Sequence, residues 1–272
     1  MSCACPSEAH HSADGQLETV IDASGHDQYG RPIDYRTLNV EIRKAMEEGA
    51  SRIIIKGVMG QRYIASAATA KGLYIGIAGT PGNNLGAFLN GPTIEVFGNA
   101  QDMTGNTMSS GRIIVHGNAW DVTGLAARGG RILVKGSSGY RVGIHMKAFG
   151  DQRPTVVIGG RAGDYLGEYM AGGAILVLGN GIPGNESPIG LFAGAGIHGG
   201  AIYVRGEVGE HQLGTGAAIR PIEEADRATI EELIADYERS FGVTVDRDWE
   251  RFKKIAPISS RPFRGHFDPT PI

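Results

Sequence analysis

The chain has 272 residues, with 26 Lys plus Arg against 29 Asp plus Glu and a formal net charge of -3. That balance lacks the strongly basic face of a nucleic-acid-binding protein, so no nucleic-acid partner is expected. With 41% hydrophobic and 20% charged residues the chain is globular rather than disordered, and glycine, at 43 residues, is the outlier.

In chain order, residues 1–15 read as a flexible polar leader. They carry both cysteines, Cys3 and Cys5. A lone Cys-x-Cys with no second pair downstream is weak support for a metal site, and reduced thiols suit a cytoplasmic protein. No apolar signal segment and no run of about 18 apolar residues appears, so neither secretion nor a membrane partner is expected. Residues 16–52 read as an N-terminal strand and helix cap. Asp34 is a candidate N-cap, Leu38, Ile42 and Met46 recur at helical spacing, and Gly49 ends the helix.

Residues 53–216 restate one phrase. Thr93 to Gly98 (TIEVFG) is followed by Arg112 to Gly117 (RIIVHG), Arg131 to Gly136 (RILVKG), Thr155 to Gly160 (TVVIGG), Ala174 to Gly179 (AILVLG) and Ala201 to Gly206 (AIYVRG). The closing glycines include Gly98, Gly117, Gly136 and Gly160. The period is 19 residues, with insertions at 147–154 and 180–188. A second glycine follows seven residues later, at Gly86, Gly105, Gly124, Gly143 and Gly167. These glycines are expected to mark tight bends or positive φ. Within each strand, Ile94, Ile113, Ile132, Val156, Ile175 and Ile202 share one position. Val96, Val115, Val134, Ile158, Val177 and Val204 share the position two further on. Alternate residues of a strand face one way, so stacked repeats make two inward aliphatic ladders. Leucine-rich repeats need a phrase that is absent here, and helical repeats tolerate glycine poorly. The expected fold is an all-β, single-stranded, right-handed parallel β-helix with flanking helices at both ends.

Between the ladders lie Glu95, Ile114, Leu133, Val157, Leu176 and Tyr203. These outward positions should face solvent, yet five of the six are apolar. Such a row marks either an interface or a surface covered by the chain itself. The two insertions are the alternative contact surface. Residues 217–272 read as a C-terminal helix, with Ile230, Leu233, Ile234 and Tyr237 as its stripe and an end near Gly242. An extended arm comes after it, with Pro257, Pro262, Pro269, Pro271, Phe263 and Phe267.

Little here points to catalysis. Gly194 to Gly199 matches G-x-G-x-x-G, but a strand rather than a helix comes next, against the dinucleotide-binding context. Asp102, Asp121 and Asp164 recur at the repeat period, which argues for a turn role. His116, His145, His198 and His211 lack metal-ligand spacing. No catalytic, cofactor-binding or metal-binding residue is assigned.

The glycine phrases, sharpest in Gly163 to Gly173 (GDYLGEYMAGG), resemble the GXGXG domain, the C-terminal β-helix of the glutamate synthase large subunit. Gly60 to Ile64 (GQRYI), the N-terminal helix and Lys254 to Pro262 (KIAPISSRP) are similar to stand-alone versions of it. Gly143 to Met146 (GIHM) leans toward a subunit of formylmethanofuran dehydrogenase that shares the glycine phrases. That is the alternative reading, in which the chain would contribute to a C1-carrier site. The resemblance to glutamate synthase implies a non-catalytic structural subunit. It implies an amidotransferase subunit and an FMN and iron–sulfur subunit as partners, with no cofactor on this chain. A homo-oligomer is a further arrangement to consider. Related operons encode N-methylglutamate synthase, so the amine acceptor stays open.

Overall fold

The computed structural model describes residues 7–11, 17–26 and 29–259. Its strands form one sheet. They are β1 (Ser7–His11), β2 (Leu17–Asp22), β3 (Arg52–Met59), β4 (Tyr74–Thr80), β5 (Asn90–Phe97), β6 (Ser110–Val115), β7 (Arg131–Val134), β8 (Thr155–Ile158), β9 (Ala171–Val177), β10 (Gly199–Arg205), β11 (Ala217–Arg220) and β12 (Phe252–Pro257). From β2 to β10 each strand pairs in parallel with the next, which makes the sheet one wall of a β-solenoid.

The register is the one the repeat requires. Ile94 faces Ile113, then Ile132, Val156, Ile175 and Ile202 in turn, and the Val96 ladder runs beside it. Every member of both ladders is at most 1% exposed. Parallel strands about 4.8 Å apart keep each β-branched side chain against its equivalents above and below. The ladders begin earlier than the repeat suggests. Thr19 and Ile21 of β2 pair with Ile53 and Ile55, so the solenoid starts near residue 17 rather than 53. The strand phrase at residues 17–22 has Ala23 where later phrases have their closing glycine, which hides it from a glycine count. Thr19 Oγ1 is the buried side-chain atom without a hydrogen-bond partner among the described residues.

Both ends are closed. Helix α1 (Tyr35–Glu47) is capped by Asp34, whose carboxylate accepts from the Arg36 N–H at 2.7 Å. It lays Leu38, Ile42 and Ala45 against the main core and plugs the first coil. Part of the expected flexible leader is instead β1, paired antiparallel with β2; Cys3 and Cys5 lie outside the described residues. At the other end the expected extended arm becomes β12 over residues 252–257. It lies antiparallel to β10, sits between β10 and β11, and buries Ile255 opposite Ile202. Pro262, Phe263, Phe267, Pro269 and Pro271 lie outside the described residues.

The two glycine sets serve different needs. Gly105 has φ of 72°, as do its equivalents Gly124, Gly143 and Gly167 with similar values. A Cβ there would stand 2.4 Å from Ile132 Cδ1, inside the core. Gly98, Gly117, Gly136 and Gly160, also expected at bends, are not in the left-handed region. They are required because the neighbouring coil approaches too closely for a Cβ, through backbone at Gly98 and first through the Asn99, Asn118 and Ser137 side chains at Gly117, Gly136 and Gly160. A Cβ on Gly98 would sit 2.4 Å from the Gly79 carbonyl oxygen, an atom that cannot yield without moving a coil. Gly98→Ala is therefore expected to lower stability by about 1–3 kcal/mol, the usual range for overpacking. A melting temperature equal to the parent's would refute the close-approach explanation.

Helix α2 (Glu224–Phe241) ends at Gly242, which takes φ of 64° as its C-cap. It lies across the outer face of the sheet and builds a second apolar cluster there.

Candidate functional site: the sheet face and the left-handed corners

Of the two readings of the outward row, partner interface or cover by the chain itself, the structure shows the second within the isolated chain. Ile114, Leu133, Val157, Leu176 and Tyr203 are between 0% and 8% exposed. They pack with Ile230, Leu233, Ile234, Tyr237 and Phe241 of α2. The chain covers its own row, because an amphipathic helix with a stripe of matching length is tethered within reach. None of the five side chains is available to a partner while α2 stays in place.

Polar struts pin α2. Arg112 reaches Asp236 with two hydrogen bonds of 2.9 Å, and Arg131 adds a third of 2.7 Å. Burial opposes ionisation of Asp236, but the two guanidinium groups outweigh it and hold the carboxyl at about 2. The Tyr203 hydroxyl donates to Asp226 Oδ1 and Lys254 Nζ to Asp226 Oδ2, both at 2.7 Å. The Tyr237 hydroxyl donates to the Lys135 carbonyl at 2.9 Å. Asp236→Asn leaves Arg112 without its counter-charge and Arg131 with Glu232 alone. Because both guanidiniums keep some water, the expected loss is about 2 kcal/mol, below the ~3–5 kcal/mol of a fully buried pair. The folded carboxyl lies below its ordinary 3.8. Its contribution is therefore present above about 3.8 and fades as pH falls toward 2. Melting curves of parent and variant should converge over that window; a constant gap would exclude the ionic origin.

Where α2 ends, Glu95, the odd member of the row, becomes the centre of a titratable cluster. The Tyr74 hydroxyl donates to Glu95 Oε2 at 2.7 Å, and His116 Nε2 lies 2.7 Å from Oε1. Burial pushes the Tyr74 phenol up to about 12, and the bond to Glu95 adds to this. Phe97 stacks on His116, Phe241 meets it edge-on, and Arg52 lies over the Tyr74 ring at 4.2 Å. The sequence alone does not single out this group. Its one signal there is the single charge in an apolar row.

The recurring aspartates make coil-to-coil bonds. Asp102 Oδ1 accepts from the Asp121 N–H at 3.1 Å, Asp121 from the Tyr140 N–H at 2.8 Å, and Asp164 from the Leu191 N–H at 2.8 Å. Asn99, Asn118 and Ser137 form a parallel ladder in the same way. The turn role expected from sequence thus extends across coils rather than along one. Of the other histidines, His198 Nδ1 lies 2.9 Å from the Gly196 carbonyl and His145 stacks on Tyr169. Among the described residues no three His, Cys, Asp or Glu could hold a metal ion. Gly194 to Gly199 leads into β10, not a helix.

Positive φ extends beyond glycine. In successive coils Met103, Val122, Arg141 and Tyr165 lie between 56° and 63°, and Thr107, Ala126, His145 and Tyr169 between 51° and 55°. Such conformations cost about 1–3 kcal/mol each unless the surroundings enforce them. Here the hydrogen bonds do. Met103 N–H donates to Asp121 of the next coil, Gly105 N–H to Leu85 of the previous one, and Thr107 N–H to Leu125 of the next. Unlike Gly105, these positions turn their side chains outward. Coil spacing then puts equivalent rings at stacking distance. Tyr165 and Phe192 stack at 4.9 Å, His145 and Tyr169 at 5.2 Å, and Arg141 lies 4.6 Å from the centre of the Tyr165 ring while pairing with Glu168 at 2.9 Å. A groove of about 630 Å³ runs beside Tyr165 and Tyr169.

Comparison with known proteins places these features in a family. The model of the family described as GXGXG motif matches residues 37–257. An uncharacterized protein of Methanocaldococcus jannaschii, MJ1350, is 51% identical over 263 residues, covering 94% of this chain and 98% of that protein. No helix among the described residues is long and apolar enough to cross a membrane.

Proposed function

Because this chain belongs to the GXGXG motif family, we propose that it is the non-catalytic structural subunit of a glutamate synthase-type enzyme. In this reading an amidotransferase subunit releases ammonia from glutamine, and a second subunit with FMN and an iron–sulfur cluster uses it. This chain binds neither cofactor and holds the two at a fixed separation.

The observation that supports a spacer is how the repeat uses its polar side chains. The Asp and Asn ladders tie coil to coil, and Asp236 and Asp226 tie α2 to the sheet. A rod braced on its corner and on its face resists bending, which a spacer needs. The match to MJ1350 runs over nearly all of that protein, so the solenoid occurs there too without a long additional region.

With the outer row covered, the contact surface in this reading moves to the insertion at 147–154. Phe149 is 72% exposed there, on a tight loop closed by mutual backbone bonds with Gln152 of 3.0 Å. The loop borders a groove lined by Arg131, Asp151, Arg153 and Glu232, with α2 on the other side. An exposed aromatic beside charged groups is the composition of an interface anchor. Phe149→Asp is expected to weaken co-purification by at least about tenfold, the scale of one hot-spot side chain, while leaving the melting temperature unchanged. The whole reading is tested by affinity purification of the tagged chain from its native host. Amidotransferase and FMN-bearing chains should co-elute. Depleting the tagged chain should remove glutamine-dependent but not ammonia-dependent glutamate formation. Elution alone, or full glutamine-dependent turnover without the chain, would exclude the role.

A further inference from the structure

Strand alternation turns Arg205, the last residue of β10, to the same outer face as Tyr203. Its side chain is buried, with 7% exposure. Nε donates to the Leu178 carbonyl at 2.9 Å and Nη2 to Asn180 Oδ1 at 2.8 Å. Both acceptors are neutral, and no carboxylate among the described residues forms an ion pair with this guanidinium. Buried cations are ordinarily paired, because taking a charge out of water without a counter-charge is costly. The Leu178 and Asn180 bonds fix the direction of the head group but leave its charge uncompensated.

A second cation enlarges the deficit. The Gly206 N–H donates to the Arg251 carbonyl at 2.9 Å, which sets the single helical turn Trp249–Arg251 beside the end of β10. Arg251 is half-buried, and its guanidinium has no hydrogen-bond or ion-pair partner among the described residues. Burial pushes the Arg205 guanidinium down and the charge of Arg251 pushes the same way, while Asp246 and Tyr237 oppose them. Asp246 is exposed, and its Oδ1 accepts from the Asp248 N–H. The Arg205 head group is also within reach of the surface. Among the described residues Thr19 Oγ1 is the fully buried side-chain atom without a partner, so Nη1 of Arg205, which has no partner either, keeps contact with solvent. Asn180, which holds Nη2, is itself exposed and opens the insertion at 180–188.

We propose that Arg205 and Arg251 form a binding site for a small oxyanion, a carboxylate or a phosphate group, with Nη1 of Arg205 as the fixed donor and Arg251 as the second positive charge. Guanidinium groups present donors in a planar fork that fits either kind of oxyanion. The Leu178 carbonyl and Asn180 hold that fork with Nη1 toward the surface, so the donor is aimed before the anion arrives. The site lies at the opposite end of the strands from the 147–154 insertion. It stands whether or not the chain is a subunit of the proposed enzyme.

The test uses the full chain with nitrogen-15 in its arginines. Sodium phosphate and sodium acetate are titrated separately, with sodium chloride at equal ionic strength as the reference, and the arginine Nε–H signals are followed by NMR. The expected result is a saturable shift of the Arg205 signal, assigned through the backbone, with one or both oxyanions and none with chloride. Tighter saturation by acetate identifies a carboxylate as the ligand, and tighter saturation by phosphate identifies a phosphate group. Arg251→Gln breaks no side-chain contact within the chain, so it should leave the melting temperature unchanged. It should weaken the saturation by about tenfold, the scale of one charge-assisted contact. An Arg205 signal that ignores both oxyanions, or that responds as much to chloride, overturns the proposal without any variant that could misfold. A response that survives Arg251→Gln in full overturns the paired site.

Discussion

Replacing Ile132 by aspartate is expected to leave the chain without a stable fold. Ile132 is 1% exposed and stands between Ile113 and Val156 in the inner ladder. Its Cδ1 lies where a Cβ on Gly105 would stand, inside the packed core. A carboxylate there has aliphatic neighbours on every side and no donor within reach. The penalty is on the order of 5 kcal/mol or more, a large share of the ~5–15 kcal/mol that holds a domain together. Ile132→Ala is the graded control. It removes packing without adding charge, and its expected loss is about 2–5 kcal/mol. Circular dichroism and denaturant melts would read both. An Ile132→Asp chain as heat-stable as the parent would mean that the ladder does not face a dry interior.

Leu133→Lys probes the opposite side of the same strand. Leu133 is 0% exposed, in the apolar cluster that the sheet shares with Leu233 and Tyr237 of α2. A lysine here must either lose its hydration or push the helix away to reach water. The expected loss is about 3 kcal/mol, which lowers the melting temperature by roughly 6–12 °C for a chain of this size. The inner ladders do not depend on α2. Hydrogen exchange should therefore rise along 224–241 and stay low in β6 to β9. An unchanged melting temperature together with lost assembly would restore the row to a partner. Because the row is covered in the isolated chain, the structure leads to the other outcome.

The two probes sit on adjacent residues, and they show how far a sequence can be read. The two-residue alternation that puts Ile132 and Val134 on one face and Leu133 on the other follows from strand geometry, and the 19-residue period follows from coils of equal length. Both are local properties, so the ladders, the stacked coils and the strand after Gly199 were legible in one sequence. The aspartates were legible as turn residues, but their partners lie one coil away. Leu133 was legible as an apolar residue facing out. The helix that covers it was undecidable from sequence, because Asp236 and Arg112 are separated by 124 positions and meet only when α2 folds back. The first rung at Leu17–Asp22 was missed because it lacks the glycine that marks later rungs. The aromatic corner was missed for a different reason. Tyr165, Tyr169, His145 and Arg141 take left-handed conformations that intrinsic preferences disfavour, and only hydrogen bonds from coils above and below hold them there. Local chemistry determined the repeat and its buried faces. Contacts between distant segments decided which outward faces stay open, because the energy of covering a surface depends on what the folded chain can bring to it.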